Sequence, residues 1–98
     1  REVDALPGKV VLEFGASWCG ICRSKRALID GALAEYPEVR RLWVEDGKGQ
    51  RLGRSFGVKL WPTLVFLRDG QELSRLVRPS DTADVSRALA ELSQTRSG

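Results

Sequence analysis

Cys19 and Cys22 are the two residues of this chain whose type and spacing point most directly to chemistry. In Cys19-Gly20-Ile21-Cys22 the thiols lie three positions apart, so on a helix their side chains are neighbours. That separation suits the Cα spacing of roughly 4.4 to 6.8 Å at which a disulfide closes, so the pair could open and close with little backbone movement. Histidine is absent, which removes the commonest general base and the commonest metal ligand. Ser-His and Cys-His nucleophilic sites are therefore excluded, as is a zinc site built from thiolate and imidazole within this chain. Two blander readings compete with redox chemistry. A structural disulfide closing so short a loop would contribute only about 2 kcal/mol in the chain-entropy account. Cys-x-x-Cys is also half of a zinc site, but a second chain would have to complete it.

The elements that must hold the pair follow from pattern. Val10 to Phe14, after the turn residues Pro7-Gly8-Lys9, reads as a buried strand. Ile21, Leu28, Ile29, Ala32, Leu33 and Tyr36 recur near the helical period, predicting an amphipathic helix from Cys19 to Tyr36, closed by Pro37. Cys19 then sits at a helix N-terminus, where unpaired N–H groups and the helix dipole favour a thiolate, with Arg23, Lys25 and Arg26 adding positive potential. Cys22 lies one turn inside, shielded. The spacing predicts Cys19 as the attacking thiol and Cys22 as the one that resolves a mixed disulfide. Val39 to Val44 reads as a second strand, Gln50 to Phe56 as a short helix, and Leu64 to Leu67 with Glu72 to Val77 as a hairpin about Asp69-Gly70. Ser80 or Asp81 caps a last helix carrying Val85, Ala88, Leu89 and Leu92, and the tail from Ser93 is expected to fray.

A length of 98 residues fits one small domain, and 42% hydrophobic with 30% charged residues is ordinary globular usage. Apolar runs are too short for a bilayer-spanning helix. A net charge of +3, with basic residues scattered among acids, argues poorly for nucleic acid. The chain opens on Arg1 without a signal-like stretch, which reads as a mature form or an excised domain. The compartment is left open, with the cytoplasm slightly favoured over the periplasm or a secreted setting.

Trp18-Cys19-Gly20-Ile21-Cys22 resembles the Trp-Cys-Gly-Pro-Cys motif of the thioredoxin family, and Trp61-Pro62-Thr63 resembles its cis-proline loop. The resemblance covers about residues 9 to 94. It implies a minimal thioredoxin-like α/β fold, a four-stranded mixed sheet with helices on both faces. It also implies a cis Trp61-Pro62 bond and a substrate groove formed by Trp18, Gly20, Ile21, Trp61, Pro62, Thr63 and Arg78. A cis bond there would turn the Trp61 N–H and C=O outward, free to pair with an extended substrate segment. Trp18 and Trp61 are expected to form an apolar rim, whereas Trp43, Phe14, Phe56 and Phe66 are read as core.

Glu13 stands where the family carries a buried acid. Burial in a central strand disfavours a carboxylate, and such a group near Cys22 could take and return the resolving thiol's proton. The competing reading is a solvated Glu13, or one paired with a base. Arg41 aligns with the basic residue that often partners this acid, or is a plain exposed strand residue.

Three departures from the family bear on function. Ile21 replaces proline and adds a backbone N–H near Cys19, which predicts a better stabilised thiolate and a potential above the roughly −270 mV of thioredoxin. Arg78 replaces a glycine bordering the groove, blocks close backbone approach there, and predicts a preference for acidic or aromatic partners. Ala27 replaces a helix-kinking proline, with Gly31 as an alternative point of flexibility.

The expectation is a thiol-disulfide oxidoreductase, most simply a reductant, using Cys19, Cys22 and Glu13 without a bound cofactor or metal. Its partners would be disulfide-containing proteins and an upstream thioredoxin reductase or membrane electron donor, with the chain a monomer. The alternatives are a partner-specific redox relay domain of a larger secreted or periplasmic protein, and a thioredoxin-like binding module with an inert disulfide.

Overall fold

The computed structural model describes residues 7–46 and 56–94. β1 (Lys9–Gly15) leads into α1 (Gly20–Leu33), which returns the chain to β2 (Arg40–Glu45). β3 (Thr63–Arg68), β4 (Gln71–Val77) and α2 (Thr82–Gln94) follow. The sheet order is β2-β1-β3-β4, with β1 parallel to β2 and antiparallel to β3. Thus β1 is interior, and its residues from Val10 to Gly15 are all buried, as expected of a strand covered on both faces.

Alternation along the strands divides the core in two. Val11, Leu64 and Phe66 face Ile29 and Ala32 of α1 and Val85, Leu89 and Leu92 of α2. Each large side chain fully buried here contributes about 1.5–3 kcal/mol relative to exposure. Val10, Leu12, Phe14, Val65 and Leu67 form the opposite face, against which Leu42, Val44, Phe56 and Val58 pack. Both described helices therefore share one face of the mixed sheet. The helix predicted at Gln50 to Phe56 lies outside the described residues except for Phe56, which sits in a turn with its ring 5.6 Å from that of Phe14.

Local chemistry sets the boundaries. α1 is unbroken through Ala27 and Gly31 and ends at Leu33, three residues short of the predicted Tyr36, because the chain tightens into turns with Glu35 N–H donating to Ala32 O and Tyr36 N–H to Leu33 O. The β3–β4 connection is a two-residue turn with both φ positive, 51° at Asp69 and 83° at Gly70, the geometry the Asp-Gly pair suits. Asp69 Oδ1 also accepts from Gly8 N at 2.7 Å, tying the hairpin tip to the start of β1. For α2 the cap is Asp81, whose Oδ1 accepts from Asp84 N at 3.0 Å. Ser93, placed in the fraying tail by the sequence, is still helical, and its hydroxyl donates to Glu38 at 3.2 Å.

Trp43 corrects the sequence reading. Leu42 and Val44 point into the second core, so period-two alternation turns Trp43 to the other face, where it is 39% exposed on an edge strand. Its indole lies under the Arg26 guanidinium, 5.7 Å from the ring centroid, and its Nε1 donates to Glu45 at 3.1 Å. Gly15 is the residue that lets this ring approach: a Cβ there would stand 2.8 Å from Trp43 Cη2 and 2.9 Å from Cys22 Sγ. Gly15→Ala should accordingly destabilise the fold by about 1–3 kcal/mol through overpacking, read as a lowered denaturation midpoint in urea. An unchanged midpoint would mean that the contact relaxes without cost.

Candidate active site

Cys19 is the N-cap of α1, an extended residue at φ −81° and ψ 117°. Its Sγ accepts from the backbone N–H of Cys22 at 3.2 Å, doing with sulfur what a capping hydroxyl usually does. The first turn contains no acidic side chain, so the positive end of the helix acts on this sulfur without competition. Both cysteines are free thiols, and burial is deeper at Cys22, 1% exposed, than at Cys19, 8% exposed.

The two sulfurs differ in acidity for identifiable reasons. Burial alone would raise Cys19, but hydrogen bonds from the Cys22 side chain and from the Cys22 and Ile21 backbones, with the charge of Arg78, outweigh it and hold the thiol below its ordinary value. Cys22 is pushed up to about 11, first by burial and then by the hydrogen bond to Cys19, with the nearby charges of Cys19 and Glu13 adding to a rise that the Ala16 backbone partly offsets. The Ile21 N–H that a proline would lack thus reaches Cys19, as the sequence predicted. The charge that reaches it comes from Arg78, not from Arg23, Lys25 or Arg26.

Glu13 is 2% exposed, on the same face of β1 as Val11, beneath α1. Arg41 Nε donates to Glu13 Oε1 at 2.8 Å, and the same guanidinium pairs with Asp30. Of the readings the sequence left open, the structure therefore gives a buried Glu13 with a basic partner. A cavity of about 580 Å³ opens beside them, with Glu13, Arg23, Arg26, Arg41 and Trp43 among its walls, so the buried carboxyl borders a space large enough for water.

On the other side of the cysteines, Trp18 is 70% exposed and meets the half-buried Trp61 edge to face at a centroid distance of 5.3 Å. Gly20 and Ile21 are exposed beside them, and Trp61 packs on the apolar patch of Ala16, Cys19 and Cys22. Trp61-Pro62 is cis, as the resemblance implied. Two groove assignments change. Thr63 is 1% exposed and its hydroxyl donates to Leu60 O at 2.6 Å, so it braces the loop rather than presenting itself to a partner. The Trp61 carbonyl is not free either, because Arg78 Nε donates to it at 2.8 Å. Arg78 holds φ 50°, the left-handed region that glycine adopts freely and that costs a residue bearing a Cβ about 1 kcal/mol.

One supporting residue escaped the sequence reading. Asp46 is buried and accepts from Trp61 Nε1 at 2.9 Å, while its N–H donates to Gly15 O. In sequence it opens a polar, glycine-bearing stretch, a context that signals a loop and gives no sign of burial. Among the described residues no cluster of three or more His, Cys, Asp or Glu could hold a metal ion. No helix among them is long and apolar enough to cross a membrane.

Comparison with known proteins agrees with this geometry. The thioredoxin family model matches residues 1–91. A curated thioredoxin of Chlamydia muridarum is 35% identical over 74 residues, 76% of this chain and 72% of the relative. The solved structure of thioredoxin 2 from Pseudomonas aeruginosa in its reduced form superposes with a TM-score of 0.84 at 52% identity, covering 93% of this chain and 84% of that one. A thioredoxin-2 described as a component of malaria parasite protein secretion machinery superposes at 0.75 with 27% identity, covering 86% of this chain and 82% of that one. With a capped, acidified thiol beside a buried one, set against a cis-proline loop, the chain belongs to the thioredoxin family and is a thiol-disulfide oxidoreductase.

Proposed function

We propose that this chain reduces disulfides in protein substrates, with Cys19 as nucleophile, Cys22 as resolving thiol and Glu13 as acceptor of the Cys22 proton. The observation that carries the reading is the asymmetry of the pair: one thiol lowered at a helix cap on the surface side, the other pushed up to about 11 and buried. In the first step the Cys19 thiolate bonds to one substrate sulfur, the substrate S–S bond breaks, and the second substrate sulfur leaves as a thiolate that takes a proton. In the next, Cys22 gives its proton to Glu13 and bonds to Cys19 Sγ, releasing the other substrate sulfur. The protein ends as the Cys19–Cys22 disulfide, oxidised by two electrons, while the substrate carries two thiols. A dithiol or a reductase supplies the electrons that restore it. Trp18, Gly20, Ile21 and Trp61 form the docking rim, and Pro62 sits behind them.

Ile21 moves the potential in a definable direction. Its N–H stabilises the Cys19 thiolate, hence the reduced form, which makes the couple more oxidising. A redox titration against thiol buffers, followed by tryptophan fluorescence, should show a reversible two-electron transition above about −270 mV yet below about −200 mV. Ile21→Pro should lower it by roughly 30 mV, about 1.4 kcal/mol of thiolate stabilisation. A transition above about −200 mV would reassign the chain as an oxidant, and none at all would leave the cysteines without a redox role.

A further inference from the structure

The Trp61 carbonyl belongs to the cis bond with Pro62, on the loop that packs against the cysteines, and a free carbonyl there could accept from the backbone of an extended segment, the pairing by which a sheet edge captures a strand. Here that acceptor is already used by the Arg78 side chain, whose Nε donates to it at 2.8 Å. The Arg78 backbone is fixed at the same time: its N–H donates to Pro62 O at 2.9 Å, just beyond the Thr63–Val77 pairing of β3 and β4. The guanidinium is thus delivered by a rigid strand end to one particular carbonyl, while the side chain itself is exposed and can swing out.

Resting on the reductase reading above, we propose that Arg78 is a displaceable latch on the Trp61 carbonyl that selects substrates carrying a carboxylate beside the disulfide under attack. A guanidinium gives up one neutral acceptor readily for a carboxylate, which it can bind through two parallel N–H···O bonds. An acidic residue flanking the attacked cysteine draws Arg78 off Trp61 and frees the carbonyl for the substrate backbone in the same movement. A lysine at that position meets a like charge and leaves the latch closed. Trp61 packs against Cys19, so a carboxylate recruited by the guanidinium at the Trp61 carbonyl falls near the reacting bond. Glycine at this position, having no side chain, could neither occupy the carbonyl nor recruit the acid.

Three disulfide peptides identical except for Glu, Gln or Lys beside the attacked cysteine test this, with kcat/KM measured for the unaltered chain and for Arg78→Gln. The unaltered chain should prefer the Glu peptide to the Lys peptide by about tenfold at low ionic strength, the preference shrinking as salt rises. In Arg78→Gln the ratio should fall to within about twofold, chiefly through a higher KM for the Glu peptide. Because each ratio is taken within one protein, a general change in Cys19 reactivity cancels. A Glu preference that survives Arg78→Gln, or turnover of all three peptides by the unaltered chain at equal rates, overturns the latch. Failure of the unaltered chain to reduce any of the three would sink the reductase reading, and the latch with it.

Discussion

Cys19→Ser is expected to abolish turnover of a protein disulfide, by more than roughly 10³-fold, because a serine hydroxyl in the same cap supplies no anion at neutral pH. Cys22→Ser should behave differently. It keeps the attacking sulfur and loses the one that resolves, so a substrate disulfide is opened once and the reaction halts at a covalent complex through Cys19. Mass spectrometry of the mixture should show one substrate per chain, released by added dithiol. The order of attack follows from acidity: Cys19 lies below the ordinary thiol value and Cys22 is pushed up to about 11. At neutral pH a limiting alkylating agent should therefore label Cys19, with Cys22 reacting only as the medium becomes strongly alkaline. A covalent complex formed equally well by Cys19→Ser would reverse the roles, and no complex with either variant would leave the pair without exchange chemistry.

The legible part of this site was the part carried by short-range pattern. The sequence pattern placed Cys19 at the N-terminus of α1 and Cys22 inside its first turn, and the cap geometry bears that out. Asp69-Gly70 announced its turn because few dipeptides tolerate two successive positive φ values. Trp43 could have been read correctly: Arg41, Trp43 and Glu45 alternate with Leu42 and Val44, and the face that carries an arginine and a glutamate is seldom the core. Arg78 on the Trp61 carbonyl was out of reach, since the two residues lie 17 positions apart and are joined by one side-chain hydrogen bond that no local pattern encodes. The same holds for Asp46, whose carboxylate accepts from the Trp61 indole 15 positions further along the chain. Which of several nearby cations acts on Cys19 was likewise a question of three-dimensional placement, so sequence proximity pointed to Arg23, Lys25 and Arg26 while the sheet brought Arg78.

Glu13→Gln separates two things a buried carboxylate can do to Cys22. As a fixed negative charge, Glu13 raises the resolving thiol, so the neutral amide should lower it, enlarge its thiolate fraction and speed resolution. As a proton acceptor, Glu13 is needed for Cys22 to ionise at all at neutral pH, and its loss should slow resolution by on the order of 10²-fold. The second outcome is expected, because a thiol pushed up to about 11 has very little thiolate at pH 7, and the residue sits beside a cavity that can return the proton to solvent. An aromatic disulfide reagent reads both half-reactions by absorbance: a first release when Cys19 attacks and a second when Cys22 resolves, with only the second slowed. Stability will change as well. Removing one partner of a buried ion pair costs about 3–5 kcal/mol when both are fully enclosed. Arg41 is 32% exposed and retains Asp30, so a cost of about 2 kcal/mol, or roughly 10 °C in Tm, is the better expectation. A second phase that quickens in Glu13→Gln would leave Glu13 an electrostatic and structural partner of Arg41, and Cys22 would then have to lose its proton directly to water or to the departing substrate thiolate.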